Sequence, residues 1–209
     1  MSPLTEREKG VLLGLAQSSI QDLFFARPAP KLTEIPERLY QRAGCFVTLR
    51  KAGTLRGCVG RIHNTVPLVQ AVCDCAIGAA CADPRFSPLQ ADEFPAVRID
   101  VSVLSPLAEI TPEAIEIGRH GLLVSQGPMR GLLLPQVAVE WKWDRVRFLQ
   151  ETCFKAGLPR DAWLWGARIE AFTAEVFGEV AHDALRHPKY EKNSSPPALS
   201  VHTNGWESF

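Results

Sequence analysis

The sequence contains no long apolar run and no excess of charge of either sign. A transmembrane helix needs about 20 consecutive apolar residues, and no segment reaches that length. Lysine and arginine together number 23, as do aspartate and glutamate, so the sequence gives no sign of the cationic footprint typical of nucleic-acid-binding proteins. The first residues, MSPLTEREKG, lack the apolar core of a signal peptide. These absences predict a cytoplasmic protein that binds neither membranes nor nucleic acid.

The sequence also lacks the common motifs for metal and nucleotide binding. It has no H-E-x-x-H helix, no glycine-rich phosphate loop and no G-x-S-x-G turn. Cys73 and Cys75 form a C-x-C pair, and side chains two apart on a helix diverge by about 200°. We therefore expect no metal site and no cofactor. Six cysteines are too few for a disulfide scaffold in a chain of this size, so we expect thiols.

The composition, 46% apolar and 22% charged, is that of a globular protein with enough apolar residues for a core. Thr5-Glu6-Arg7-Glu8 fits a capping box, and apolar residues then recur at helical spacing to about Phe25. Residues 67–81 are almost entirely apolar or small, which predicts a buried helix. Asp144 is a suitable N-cap for a further helix that ends near Ala156, with Gly157 beyond it.

Several other segments have the pattern of antiparallel strands. Two β-rich runs, 45–50 and 55–62, flank a short glycine-containing loop, and a second hairpin is predicted at 122–125 and 131–134. The stretch from Val97 opens with clean alternation, and 167–177 predicts a late strand. Helices and hairpins that mix without strict alternation favour an α+β fold with antiparallel sheets. From residue 183 to 209 the chain is polar and aperiodic, which predicts a loosely ordered tail.

The stretch LRGCVG, residues 55–60, is the clearest candidate for chemistry. Gly57 and Gly60 flank Cys58, and glycine within a strand often marks close approach by a ligand or another backbone. Arg56 lies two residues away and so shares a strand face with Cys58. A fixed guanidinium lowers a thiol pKa and favours the nucleophilic thiolate. The alternative is that Cys58 is a small buried residue of the core.

Two further stretches supply possible partners for that thiol. His120 precedes Gly121 and a strand-like run, where it could act as a general base, although it could also be a surface residue in a turn. His63 follows the Cys58 strand closely and is the rival candidate. Asp83-Pro84-Arg85-Phe86 places an acid, a cation and an aromatic ring in one turn, which could equally be an ordinary cap with a surface ion pair.

The stretches LRGCVG, DPRFSPL, HGLLV and LLPQVAVEWKWDRVRFLQETCFKAGL, in this order, resemble the AMMECR1 family, known in bacteria and archaea as AmmeMemoRadiSam system protein A. The resemblance covers about residues 5–180. It implies an α+β fold of two lobes, each with an antiparallel sheet and helices, and a cleft between them. One domain would span residues 1–182. The resemblance also implies association with a Memo-like protein and a radical S-adenosylmethionine protein.

Two functions remain open from the sequence. In the first, the protein is an enzyme or enzyme component in which Cys58 is the nucleophile, Arg56 stabilises its anion and His120 moves the proton. A small anionic or polar substrate would then be bound by Gly57, Gly60, Asp83, Arg85, Gln136 and Glu140. In the second, the same residues line a groove that holds a partner peptide or small molecule without catalysis. Cys58 is then present only because a small side chain fits at that position.

Overall fold

The computed structural model describes residues 2–25, 34–62 and 65–178, together with the backbone of 200–201 and 207–208. The predicted tail at 183–209 therefore lies almost wholly outside the described residues. The chain divides into two compact units. Unit 1 takes in Met1–Val103, Glu175–Ser194 and Val201–Phe209, and unit 2 takes in Leu104–Ala174 and Ser195–Ser200.

The described residues form four α-helices and two sheets, an α+β architecture, as predicted. The elements in chain order are α1 (Glu6–Phe25), β1 (Cys45–Lys51), β2 (Thr54–Arg61), α2 (Leu68–Cys81), β3 (Val97–Leu104), β4 (Ala108–Glu109), β5 (Gly121–Gln126), β6 (Met129–Leu133), α3 (Pro135–Glu140), α4 (Arg145–Lys155), β7 (Arg168–Phe172), β8 (Ala174–Gly178), β9 (Ser200–Val201) and β10 (Glu207–Ser208). Within this part of the chain, no helix is both long and apolar enough to cross a bilayer.

Unit 1 is built on a six-stranded sheet with the order β8-β3-β1-β2-β10-β9. Alternate residues of its strands, such as Val47 and Ile99, join residues of α1 and α2 in one hydrophobic core. Helix α2 contributes Ala71, Cys75 and Ala79, whose small side chains allow the helix to pack closely on the sheet. The helices thus cover one face of the sheet.

The opposite face of this sheet carries polar side chains in its centre. Strand alternation places Thr48 and Arg50 of β1 on that face, beside Cys58 of β2 and Asp100 of β3. Cys58 lies directly opposite Thr48 in the register of β1 and β2, and Thr48 lies opposite Asp100 in that of β1 and β3. We call these four residues the polar face.

Unit 2 contains a four-stranded sheet with the order β4-β7-β5-β6. Helix α4 packs on β5 and β6, and its Phe148 and Leu149 are fully buried with Leu122 of β5. A Cβ atom at Gly131 of β6 would lie 2.3 Å from the backbone nitrogen of Ala156. Only glycine allows the end of α4 to approach the strand this closely.

The structure confirms the helix caps expected from the sequence. Thr5 N–H donates to the Glu8 carboxylate at 2.7 Å, and Glu8 N–H donates to Thr5 Oγ1 at 3.3 Å. Asp144 accepts from Arg147 N–H at 2.7 Å. Gly157 follows α4 with φ of +76°, the left-handed conformation of a C′ glycine.

The strand predicted at 167–177 is two strands in two sheets. It breaks at Thr173, so that β7 joins the sheet of unit 2 and β8 joins that of unit 1. Thr173 is bonded to Ser105, whose backbone N–H donates to Thr173 O and whose Oγ accepts from Thr173 N–H. A continuous β-rich sequence carries no signal for this change of sheet.

Candidate functional site

Cys58 lies near the middle of β2, on the polar face of the sheet. Its side chain is buried, with 5% of the residue exposed. Its Sγ lies 3.2 Å from Thr48 Oγ1 on the neighbouring strand. The thiol therefore has a hydrogen-bond partner within unit 1 and little contact with solvent.

The two glycines beside Cys58 are explained by packing. A Cβ atom at Gly57 would lie 2.1 Å from the backbone oxygen of Ala79 in α2. One at Gly60 would lie 1.9 Å from the ring of Phe46. Both distances are far below a normal contact, so glycine is required for the helix to meet the strand and for the ring to lie over it. Their predicted role in binding substrate stays a prediction.

Asp83 connects the loop after α2 to the strand that carries Cys58. Its Oδ2 accepts the backbone N–H of Cys58 at 2.8 Å, and its side chain is only 1% exposed. Arg85 donates to both carboxylate oxygens, from Nε at 2.9 Å and from Nη2 at 2.6 Å. The Asp83 carboxylate thus accepts the Cys58 N–H where a backbone carbonyl of a neighbouring strand would otherwise do so. The positive charge of Arg85 compensates the negative charge of this carboxylate.

The pKa of Asp83 follows from these contacts. Burial by itself raises the pKa, but the hydrogen bonds from Arg85 and from the Cys58 N–H outweigh it. The pKa consequently lies below its ordinary value, and the carboxylate is ionised at neutral pH.

Arg56 is directed at Glu93 rather than at the thiol. Its Nε and Nη2 donate to the two Glu93 oxygens at 3.3 and 2.8 Å, and its Nη1 donates to Ser87 O at 3.0 Å. The hydrogen bonds from Arg56 and then Lys51 lower the pKa of Glu93 to about 2. Arg56 therefore ties β2 to the loop that follows α2.

These bonds organise residues 83–93, which we call the 83–93 loop. Phe86 has two guanidinium groups within cation–π range, since the Cζ atom of Arg85 lies 5.5 Å and that of Arg56 lies 6.0 Å from the ring centroid. Leu89 is buried and donates its N–H to Ala80 O at 2.7 Å. Around these anchors most residues of the loop are exposed, namely Pro84, Arg85, Ser87, Pro88, Gln90, Ala91 and Asp92.

The electrostatics around Cys58 differ from those expected from the sequence. Burial raises the pKa of the thiol, and the hydrogen bond to Thr48 and the charges of Arg85 and Arg50 only partly offset it. Arg56 was expected to lower this pKa, but its guanidinium pairs with Glu93. At neutral pH the thiol is protonated, so the geometry does not provide a resting thiolate.

Unit 2 holds the remaining candidates. His120 closes a turn: its side-chain Nδ1 accepts the backbone N–H of Glu116 at 3.1 Å, and its backbone N–H donates to Glu116 O at 3.0 Å. Gly121 packs beneath Phe172, since a Cβ there would lie 2.3 Å from the ring. His63, the alternative partner of the thiol, lies outside the described residues. The proposed proton transfer between Cys58 and His120 stays a prediction.

Gln136 and Glu140 lie one helical turn apart on α3, which the sequence did not predict as a helix. Gln136 is half-buried and Glu140 is exposed. Their spacing places both side chains on one face of this helix. Their predicted role in binding a substrate stays a prediction.

Comparison with known proteins assigns the family. The AMMECR1 family model matches residues 13–177, more than half of the chain. The chain belongs to the AMMECR1 family.

A protein of Methanosarcina acetivorans is 41% identical over 186 residues, covering 84% of this chain and 94% of its own. One of Pyrococcus furiosus is 44% identical over 181 residues, covering 80% and 86%. The crystal structure of an uncharacterized protein from Pyrococcus horikoshii superposes with a TM-score of 0.77 at 39% identity, covering 84% and 93%.

The candidate site in unit 1 of this AMMECR1 domain also includes residues that the sequence did not indicate. Thr48, Arg50, Asp100 and Glu93 surround the predicted residues, and Arg50 Nε donates to Asp100 at 3.0 Å. Thr48 and Arg50 of β1 and Asp100 of β3 lie on the sheet face that carries Cys58, and only the strand order and register show this. Glu93 carried no local signal, because its bond to Arg56 spans 37 residues.

The AMMECR1 domain offers no evident metal site in its described part. No three side chains of histidine, cysteine, aspartate or glutamate converge there in a way that would hold an ion. What the site does offer is a largely exposed loop that is hydrogen-bonded to β2, the strand that carries the buried thiol of Cys58.

Proposed function

We propose that this AMMECR1 protein is a binding or adaptor module and that the 83–93 loop is its recognition surface. The observation that carries the proposal is the double attachment of this exposed loop to β2, through Asp83 to Cys58 and through Arg56 to Glu93. Exposed loops held in one conformation by a rigid scaffold are typical of recognition sites. Such a loop loses little conformational freedom when a partner binds.

The chemistry of the loop suits a protein partner. Phe86 is half-buried and lies near the guanidinium groups of Arg85 and Arg56, so the loop combines an aromatic ring with arginine side chains. Aromatic and arginine side chains are the residues that most often dominate the energetics of protein interfaces. The exposed Pro84 and Pro88 restrict the backbone on either side of this ring.

The family resemblance suggests which partners to test. It implies association with a Memo-like protein and a radical S-adenosylmethionine protein. We infer that one of these two proteins binds the 83–93 loop, and that a small product of the radical enzyme is the alternative ligand.

Replacing Phe86 with alanine should weaken binding to that partner by roughly tenfold or more, because truncation of a central aromatic residue is among the costliest changes at an interface. Isothermal titration calorimetry with the purified Memo-like and radical S-adenosylmethionine proteins of the same organism measures this. Trp165→Ala is the matched control, since Trp165 is 73% exposed and lies outside the loop. A folded Phe86→Ala variant that binds both proteins like wild type would contradict the proposal.

The second candidate function is chemistry at Cys58. It is favoured by the charged and polar groups near the thiol, namely Thr48, Arg50, Asp83 and Arg85. It requires the thiol to become accessible and to lose its proton, which the observed burial opposes.

Alkylation of Cys58 by iodoacetamide separates the two functions. We expect Cys58 to react at least about tenfold more slowly than the exposed Cys81, because reaction requires local opening. Its rate should still be rising with pH at pH 9, since burial raises the thiol pKa above the ordinary value of 9.0. Mass spectrometry of the tryptic peptides measures both rates. Fast labelling that reaches a plateau below about pH 7 would instead indicate an activated nucleophile.

A further inference from the structure

Two cysteines in the core of unit 1 lie side by side. Cys45 opens β1 and faces α2, and Cys75 lies in the middle of α2 and faces the sheet. Their sulfur atoms are 3.9 Å apart, and Cys75 Sγ also lies 3.9 Å from Cys45 O. Both residues are 0% exposed. The site proposed above does not include either of them.

We propose that Cys45 and Cys75 are an oxidisable pair that forms an internal disulfide between β1 and α2. The sulfur atoms need to approach by about 2 Å to reach the length of an S–S bond, which is about 2.05 Å. Side-chain rotation and a small shift of α2 can supply this, because both residues already face each other across the same helix–strand contact.

The reaction needs an oxidant, and we assign that role to a small-molecule disulfide such as oxidised glutathione. One cysteine, as the thiolate, attacks the glutathione disulfide, so a mixed disulfide forms and one glutathione leaves. The second cysteine then attacks the protein sulfur of this mixed disulfide and releases the second glutathione. The two thiol protons end on the two glutathione molecules, and the two protein sulfurs are each oxidised by one electron.

No other cysteine is placed to form this bond. Cys58 lies on the opposite face of the sheet, and Cys73 lies two residues from Cys75 on α2, so the two side chains point in different directions. Cys81 is exposed at the end of α2, and Cys153 is buried in the core of unit 2.

The burial of the pair determines when it can react. Glutathione cannot reach either sulfur while α2 lies on the sheet, so the exchange takes place during folding or after α2 has opened. Once formed, the bond joins residues 45 and 75 and restricts the unfolded chain, which stabilises the folded state. Oxidation would thus fix α2 to the sheet, independently of any partner of the 83–93 loop.

The test is to unfold and reduce the full chain, refold it in buffers of graded glutathione redox potential, and block the remaining thiols with N-ethylmaleimide. Trypsin releases Cys45 in the peptide 43–50 and Cys75 in the peptide 62–85, so mass spectrometry detects a cross-link directly. Because the second peptide also contains Cys73 and Cys81, the Cys73→Ala and Cys81→Ala variants assign the bond.

We expect the cross-link in wild type and in both of these variants, and its loss in Cys75→Ala. The oxidised wild type should melt roughly 5 to 10 °C above the reduced form, and dithiothreitol should abolish the difference. The proposal is overturned if wild-type peptides 43–50 and 62–85 are recovered only as alkylated or glutathione-bound species at every potential. A cross-link that disappears in Cys73→Ala or Cys81→Ala would overturn it equally.

Discussion

Replacing Asp83 with alanine is expected to lower the free energy of unfolding by about 2 to 4 kcal/mol. The change leaves the backbone N–H of Cys58 without its acceptor in a buried position and removes the carboxylate that faces Arg85. An unsatisfied buried donor costs about 1 to 3 kcal/mol, and breaking a fully buried ion pair costs about 3 to 5 kcal/mol. The Arg85 side chain is 26% exposed, so solvent screens part of the second cost. Urea unfolding followed by circular dichroism measures the loss.

Asp83→Asn separates the hydrogen bond from the charge. The amide oxygen still accepts the Cys58 N–H, so this variant should be more stable than Asp83→Ala at neutral pH. The folded pKa of Asp83 is lowered, so its contribution is fully present above the unfolded pKa of about 3.8 and is lost as the pH falls through the folded value. The advantage of wild type over Asp83→Asn should therefore shrink as the pH falls below the unfolded pKa, and it should be lost once the pH lies below the lowered folded pKa.

An Asp83→Ala variant with wild-type stability would show that the loop is not held by this carboxylate. The 83–93 loop would then not be a preorganised recognition surface. Partner binding that is lost in Asp83→Ala but retained in Asp83→Asn would indicate that the position of the loop matters more than the charge.

The local features of the fold were predictable because short-range chemistry determines them. The capping box at Thr5 and Glu8 and the N-cap at Asp144 depend on residues three apart, and the helix at 67–81 follows from a run of small apolar residues. The change of sheet at Thr173 depends on contacts with Ser105, 68 residues away, which no local pattern contains.

Arg56, Cys58, Asp83 and Arg85 of the candidate site in unit 1 were singled out from the sequence, but their electrostatics were not predicted. The sequence placed Arg56 and Cys58 on one strand face, and from this the arginine was expected to activate the thiol. A guanidinium pairs with the carboxylate that the fold brings within reach, and here that group is Glu93 in the following loop. Whether a neighbouring charge acts on a thiol thus depends on a long-range partner, which the spacing of residues along a strand does not reveal.

The second large loss of stability is expected from a substitution at Gly57, the first glycine of LRGCVG. Gly57→Ala should lower the free energy of unfolding by about 2 to 4 kcal/mol, since overpacking a core commonly costs about 1 to 3 kcal/mol and more where backbone atoms clash. The new Cβ would lie 2.1 Å from the backbone oxygen of Ala79, and a change of rotamer cannot relieve a clash with backbone. Helix α2 would have to move away from β2, which also disturbs the start of the 83–93 loop.

Gly14→Ala in α1 is the matched control, because a Cβ at that position meets no atom within 4 Å. It should leave stability unchanged or raise it by up to about 1 kcal/mol through better helix propensity. The comparison also tests why Gly57 is present. If glycine there allows α2 to pack, Gly57→Ala loses stability and any loss of partner binding follows from it. If glycine instead leaves space for a ligand, Gly57→Ala should unfold at the same urea concentration as wild type and still fail to bind.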